Sequence, residues 1–362
     1  MRIAFVNATK KWGGVKTWCL DMGGALQEQG HEVWIYGRDR VFIERAHAMG
    51  LRAERVEFGL DFNVALIGRF VRHFRRDRVD RVVVNVGKDV RSAGIAARIL
   101  GIPVVQHLGG PGDLRNTFKI RLTQRLIRPR LVACSEFVRR ELVTSVPLLR
   151  RYDFVAIHPG VVSAETPAAS NGPERVILST SRLDPDKGHA QLLDALAALV
   201  PQALPFRVVV LGVGSEESRL RRRAEALGIA DRIRWEGFHP DVRPFLQQAD
   251  IFVLPSFCEP LGIALQEAMA YGLVPVARRA GGVPEIWPAG MESLLFGDAE
   301  GGRGLHAVLS RVVAAADAEL FEWKRRTLEH ARIAFDLRQQ GRLFADWMQA
   351  AEPSPTDASG AS

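Results

Sequence analysis

The chain is poor in cysteine and has no long hydrophobic run, and each shortage removes a class of protein. Cys19, Cys134 and Cys258 stand far apart, without a CxxC pair or a histidine at metal-ligand spacing. A disulfide framework or a zinc site is therefore not expected, and a reducing cytoplasm is the default compartment. No stretch of 18 apolar residues occurs, and Ile3-Ala4-Phe5-Val6 is cut short by Asn7 and Lys10. Neither a transmembrane span nor a secretory signal peptide is expected. The GxGxxG fingerprint of nicotinamide binding is missing as well.

What is present is a globular composition, 47% hydrophobic and 25% charged over 362 residues, enough for two domains. Apolar β-rich runs at Ile3–Val6, Glu32–Tyr36, Arg81–Asn85, Val104–His107 and Leu131–Cys134 alternate with helix-like stretches. That alternation predicts a parallel sheet with helices on both faces. The pattern restarts with Arg175–Thr180, Phe206–Leu211, Ile233–Glu236, Ile251–Leu254 and Val274–Ala277. Two Rossmann-like α/β domains in series follow: 1–160 and 174–334, joined by a Pro- and Ser-containing linker over 161–173. A helical segment over 335–350 and a polar tail over 351–362, expected to be disordered, complete the chain.

Charge is divided unevenly. Residues 1–160 carry 28 Lys and Arg against 15 Asp and Glu, whereas the remainder carries 21 against 26. A basic half suggests an anionic partner or surface on one side only, against the ordinary alternative of a solvated arginine face. Within 63–78, Val64, Ile67, Val71 and Phe74 make one apolar stripe, and Arg69, Arg72, Arg75, Arg76 and Arg78 occupy much of the rest. A second basic run holds Arg115, Lys119, Arg121, Arg125, Arg128 and Arg130. At about 1 kcal/mol for each basic residue near an anionic leaflet, such a surface would hold the protein reversibly at a membrane.

Ligands of doubly wound sheets bind beyond the carboxyl ends of the strands, so the loops there carry the candidates. Gly13-Gly14 follows the first strand ahead of a helix starting near Val15, where backbone amides can approach a phosphate or sugar. Arg182 and Lys187, in the loop after Arg175–Thr180, can meet a diphosphate from two sides and neutralise a leaving group. Asp184-Pro-Asp186 imitates a metal motif, but the flanking cations supply positive charge there, and no metal is expected. After Leu254, Pro260 suits a first helical turn, and the amides of Leu261, Gly262 and Ile263 would form an uncapped helix start. Glu259 lies just before that helix and Glu267 about two turns inside it. Gly212 and Gly214 form either a loop beneath a nucleotide base or a simple turn. His107 ends a strand ahead of Leu-Gly-Gly-Pro-Gly, a position that by itself is more often structural. Asp113, His158 and Asp250 have no partner that sequence can identify.

The Glu259-x7-Glu267 pattern with its Pro-Leu-Gly, followed by Val274-Pro-Val-Ala-Arg-Arg-Ala-Gly-Gly282-Val-Pro-Glu-Ile286, resembles the retaining GT-B glycosyltransferases of family GT4. Ser179-Thr-Ser-Arg-Leu ahead of Lys187-Gly188, Leu211-Gly-Val-Gly214, Trp235-Glu-Gly-Phe238, Gly13-Gly14 and Ala133-Cys-Ser-Glu-Phe-Val138 support it. The resemblance runs from residue 1 to about 350 and implies a GT-B fold, two Rossmann-like domains facing across a cleft. It also implies that the helix after 334 crosses back onto the first domain through Phe335, Leu337, Leu343, Phe344 and Trp347.

The activity it implies is transfer of a sugar from a UDP- or GDP-sugar to a hydroxyl, with retention and without cofactor or metal. Arg182 and Lys187 would take the diphosphate and Glu267 the ribose, while Glu259 with the amides of Leu261, Gly262 and Ile263 would take the sugar. Gly13 and Gly14 would close on the diphosphate, His107 would face the sugar, and Gly212, Gly214 and Phe238 would line the donor. The expected acceptor is a lipopolysaccharide core or other envelope glycan, lipid-linked or not, with no nucleic acid as partner. The expected location is cytoplasmic, peripheral at the inner face of the plasma membrane. Two rivals remain: a module that binds an anionic surface, and a nucleotide-sugar epimerase.

Overall fold

A computed structural model describes residues 1–350 apart from 11, 170, 171, 173 and 298–300, and divides them into two compact units. The tail over 351–362 and those parts of the expected linker lie outside the described residues. The first unit comprises Met1–Gly160 and the segment from Leu337, the second Val161–Asp336.

The first unit runs β1 (Arg2–Asn7), α1 (Gly14–Glu28), β2 (Glu32–Gly37), α2 (Arg40–Ala48), β3 (Arg52–Arg55), α3 (Val64–Arg76) and β4 (Arg81–Val84). It continues through α4 (Gly87–Asp89), a π turn, α5 (Ile95–Ile99), β5 (Val104–Leu108), α6 (Phe118–Ile127), β6 (Arg130–Ala133), α7 (Glu136–Ser145) and β7 (Phe154–Ala156). All seven strands are parallel, in the order β3-β2-β1-β4-β5-β6-β7. Alternate side chains of β1 feed two cores: Ile3 and Phe5 join Trp18 and Leu26 of α1, while Ala4 and Val6 join Phe70 and Phe74 of α3. Both faces of a parallel sheet are thereby covered.

The second unit repeats the plan with β8 (Arg175–Thr180), α8 (His189–Ala197), β9 (Phe206–Leu211), α9 (Glu217–Ala226), β10 (Ile233–Gly237), α10 (Arg243–Leu246) and β11 (Ile251–Leu254). Then come α11 (Ile263–Ala270), β12 (Val274–Arg278), β13 (Leu295–Phe296), α12 (Gly301–Ala314) and α13 (Asp317–Ala334). Its six parallel strands follow the order β10-β9-β8-β11-β12-β13. Strand order reverses between β1 and β4 and between β8 and β11, and these switch points leave loops free to diverge. The last helix, α14 (Leu337–Gln349), belongs to the first unit, where Phe344 packs edge-on to Trp18 at 5.6 Å.

Several details differ from expectation. Short edge strands β3, β7 and β13 are too polar or too brief to stand out in the sequence. The face of α3 that enters the core is Leu66, Phe70 and Phe74, and Val64 points outward at 81% exposure. Phe335 stays with the second unit, its carbonyl accepting from Val161 N at 2.9 Å, and Leu343 is turned to solvent. The expected linker is laid along the second unit: Ala164 N and Ala168 N donate to the carbonyls of Ala270 and Tyr271. Polar composition there reflects backbone bonding to neighbouring segments.

Lys324 also reaches this segment, donating to the Ala168 carbonyl at 2.9 Å while its ammonium sits 2.7 Å from Asp250. Both side chains of the pair are buried, and Asp250 accepts from Val176 N as well, tying α13 to the start of β8. Removing one member of a buried pair leaves an uncompensated charge, a loss of about 3–5 kcal/mol. Lys324→Ala is expected to lower the melting temperature of the second unit by several degrees in calorimetry, with the first-unit transition unmoved; a change within error would show the pair to be dispensable.

Candidate functional site

The helices that follow β1, β8 and β11 start on Gly13, Gly188 and Gly262, and none has a side-chain cap. Of the other helices, α9, α10 and α13 also lack one, while Asn63, Thr117 and Ser135 cap α3, α6 and α7 by accepting a first-turn amide. Amides at the three glycine starts therefore remain available to an acceptor from outside the chain. Helix α11 begins at Ile263, later than the sequence indicates, because Gly262 adopts a left-handed φ of 101°. Pro260 and Leu261 lie in the preceding loop, and the first-turn amides are those of Ile263, Ala264 and Leu265.

Close backbone approach shapes the second unit's loops. A Cβ on Gly188 would lie 2.3 Å from the Pro255 carbonyl oxygen, and one on Gly281 would lie 2.0 Å from that of Glu259. No side chain larger than hydrogen is accommodated at either position. The Glu259 carbonyl also accepts from Gly282 N at 3.0 Å, and Phe257 N donates to the Asp186 carbonyl at 2.9 Å. The loops after β8, β11 and β12 are thereby joined into one surface. Gly212 and Gly214 are explained the same way: they lie against the carbonyls of Ser181 and Leu183, so a packing requirement accounts for their identity.

On that surface Lys187 Nζ lies 2.9 Å from Glu259 Oε2, with side-chain exposures of 12% and 15%. Residues 72 apart in sequence thus form a partly desolvated ion pair at the mouths of β8 and β11. Arg182 is half exposed, paired with Asp184 and 3.9 Å from Asp186. Asp184 also accepts from Ser215 N and Oγ, at 3.2 and 3.1 Å. The Asp-Pro-Asp motif is thus engaged by an arginine and a serine of the chain. Among the described residues, no group of three or more His, Cys, Asp or Glu side chains is placed to hold a metal ion. Glu267 is half buried on α11, and Phe238 is exposed after β10.

Two residues beneath this surface carry no signal of their role in the sequence. Arg278 is fully buried at the end of β12, its guanidinium 4.5 and 4.9 Å from the rings of Phe257 and Phe296. It donates to the Pro255 carbonyl at 3.2 Å and to Gln191 Oε1, bracing the β11–α11 loop from below. His189, first residue of α8, has Nε2 2.8 Å from Ser181 Oγ, and burial pushes its pKa down to about 4. Only the folded sheet edge puts Pro255 and Ser181 beside them.

In the first unit, Gly13 has an extended φ of 173°, and a Cβ there would meet nothing within 4 Å. Neither backbone strain nor packing demands glycine at that position. His107 is buried, stacked on Trp18 at 3.6 Å, with Nδ1 3.2 Å from Asn85 Oδ1. Its Nε2 has no hydrogen-bond partner, and burial alone lowers its pKa to about 3, so the ring is neutral. Asp113 accepts from Gly109 N and Gly110 N at 2.7 and 3.0 Å, fixing the loop that follows His107. Asn85 and Asp113 escaped sequence reading because their partners are backbone atoms or residues of other strands.

Two doubly wound units with glycine-started helices at their switch points, one bearing a Lys–Glu pair, define a protein of two Rossmann-like units. Residues 12–164 match the model described as Glycosyltransferase Family 4, and residues 165–298 that of Glycosyl transferases group 1. The chain belongs to the family 4 glycosyltransferases of the GT-B class.

Among curated relatives, the lipopolysaccharide core biosynthesis glycosyltransferase LpsE of Rhizobium meliloti is 37% identical over 128 residues, 35% of this chain and 36% of LpsE. The amylovoran biosynthesis glycosyltransferase AmsK of Erwinia amylovora is 33% identical over 146 residues, 38% of this chain and 35% of AmsK. The matched stretches thus span about a third of these relatives. HepE of Anabaena, crystallised with UDP and glucose, shares the fold with a TM-score of 0.81 at 21% identity, covering 97% of this chain and 100% of HepE.

The buried neutral His189 makes a pH prediction. Its folded pKa lies below the unfolded value, so the unfolded state takes up the proton first as pH falls. The second unit should lose stability between about pH 6.5 and pH 4. His189→Gln should flatten that part of the melting-temperature profile; an unchanged slope would show that His189 titrates normally.

Proposed function

We propose that the chain transfers a sugar from a UDP- or GDP-sugar to a hydroxyl of an envelope glycan or glycolipid, retaining anomeric configuration and without a metal. The observation that carries this reading is the Lys187–Glu259 pair at 2.9 Å, set between two uncapped glycine helix starts. An arriving diphosphate competes with Glu259 for the ammonium, since phosphate oxygens form stronger charge-assisted bonds when several donors converge. The freed carboxylate then accepts from hydroxyls of the donor sugar beside the amides of α11.

As the bond from the sugar to the diphosphate breaks, negative charge grows on the leaving oxygen. Lys187, Arg182 and the α8 helix start stabilise it without reorganisation, and that stabilisation lowers the barrier. Glu267 takes the ribose, and Gly212, Gly214 and Phe238 border the base. A leaving phosphate oxygen accepts the acceptor proton on the face it departs from, which yields retention without a carboxylate nucleophile. The open Gly13 and the orphaned His107 Nε2 support a ligand-facing role for the first unit's loops. Relatives named for lipopolysaccharide core and amylovoran biosynthesis support an envelope acceptor. The basic surface of residues 1–160 supports an anionic partner at the cytoplasmic face of the plasma membrane.

Lys187→Ala should reduce transfer by about 100-fold or more with the fold retained, because its charge is wanted chiefly in the transition state. Transfer by the unaltered protein should survive EDTA, and product NMR should show the donor's anomeric configuration. Full activity of the variant, a strict metal requirement or an inverted product would each contradict its part of the proposal.

A further inference from the structure

Helix α6 buries Ile127 in the core, but it also buries two polar side chains and exposes three apolar ones. Its buried side chains include Thr123 and Gln124, held by hydrogen bonds to the Lys119 carbonyl at 2.8 Å and to Gln106 Oε1 at 2.7 Å. Its outward stripe is apolar: Phe118, Leu122 and Leu126, four residues apart, are 72%, 54% and 51% exposed. An amphipathic helix normally does the opposite, directing such a stripe into the core. Nor is the stripe alone. Lys119 pairs with Asp61 and lies 5.7 Å from the ring of Phe62, which brings the loop before α3 beside the helix. That loop and the first residue of α3 add Leu60 and Val64, 87% and 81% exposed, to the same region.

The surroundings of the stripe are cationic. Arg115, Lys119, Arg121, Arg125 and Arg128 are all exposed, and no acidic residue occurs between Asp113 and Glu136. The arginines of α3 are less free, since Arg69 and Arg76 pair with Glu54 and Asp77. A second copy of the chain is a poor occupant for this face, because related copies would oppose arginine to arginine. An apolar ridge rimmed by cations is the chemistry that an anionic bilayer surface satisfies: acyl chains take the ridge and phosphate headgroups the rim.

We propose that α6 is the membrane-seating element of this protein, lying in the interface of an anionic leaflet with Phe118, Leu122 and Leu126 inserted. The proposal rests on the anionic-surface part of the functional reading and not on the transfer reaction. Arginine contacts alone would give purely salt-sensitive adsorption, whereas an inserted ridge adds a component that salt does not screen. No helix of the described residues is long and apolar enough to cross a membrane, so attachment through α6 remains reversible.

The test is co-sedimentation of the full chain with phosphatidylcholine vesicles containing about 30% phosphatidylglycerol, and with pure phosphatidylcholine, without donor or acceptor. Binding to the anionic vesicles is expected, with part of it persisting at raised salt. The combined variant Phe118→Ser, Leu122→Ser, Leu126→Ser should bind about tenfold more weakly or worse and lose the salt-resistant part. Val41→Ser, a change at an exposed apolar position on α2, should bind like the unaltered protein. The altered side chains are exposed, and unchanged melting temperatures verify the folds. The proposal is overturned if the unaltered protein ignores anionic vesicles, or if the triple variant binds equally. It is also overturned if light scattering shows a dimer that the triple variant abolishes while vesicle binding remains. Transfer activity enters none of these readings, so a failed donor assignment would leave them standing, and the reverse.

Discussion

The second unit is organised by backbone lying directly on backbone at the carboxyl edge of its sheet. Gly188 against Pro255, Gly281 against Glu259, and Gly212 against Ser181 are contacts that any Cβ would break. Because the loops after β8, β9, β11 and β12 are pressed together in this way, Lys187 and Glu259 meet although they come from different strands. Arg278 supports the same layer from below, its charge satisfied by a carbonyl, an amide oxygen and two aromatic faces. A buried arginine so placed resists displacement of the Pro255 loop, because moving that loop would leave a guanidinium without partners.

A consequence is that the site's cations are already neutralised by the chain's own carboxylates. Lys187 has Glu259 and Arg182 has Asp184, so neither charge is left bare. Such pairing keeps lysine and arginine in position, and under the proposed function a diphosphate would exchange one set of acceptors for another. The first unit shows a related economy: His107 is held neutral and stacked, its Nδ1 engaged and its Nε2 not. The same unit carries α6, which buries Thr123 and Gln124 beside Ile127 and turns Phe118, Leu122 and Leu126 outward.

Much of the fold was legible in the sequence, since strands buried on both faces read as continuous Val- and Ile-rich runs. The ten principal strands and the restart after residue 160 followed from that. Edge strands did not: Arg52–Arg55 carries charges, and Leu295–Phe296 is only two residues long. Glycines near strand ends were visible as such, but whether each serves a ligand or a neighbouring carbonyl depends on contacts that sequence does not contain. Gly212 and Gly214 lie against the Ser181 and Leu183 carbonyls, whereas Gly13 has open space. Pro260 was misplaced because its fixed φ suits a first helical turn, and a left-handed Gly262 postpones the helix. The stripe of α3 was set out of register by counting Val64 as buried, when Leu66 and Phe70 take the core face.

The loops of β8 and β11 are proposed to form a diphosphate site governed by Lys187. Calorimetric titration with UDP, GDP and the corresponding monophosphates, repeated on Lys187→Ala, is the decisive measurement. One diphosphate should bind about tenfold or more tightly than its monophosphate, and the variant should lose this difference while retaining the weaker monophosphate affinity. Equal affinity of the unaltered protein for mono- and diphosphate, or an undiminished difference in the variant, would contradict it.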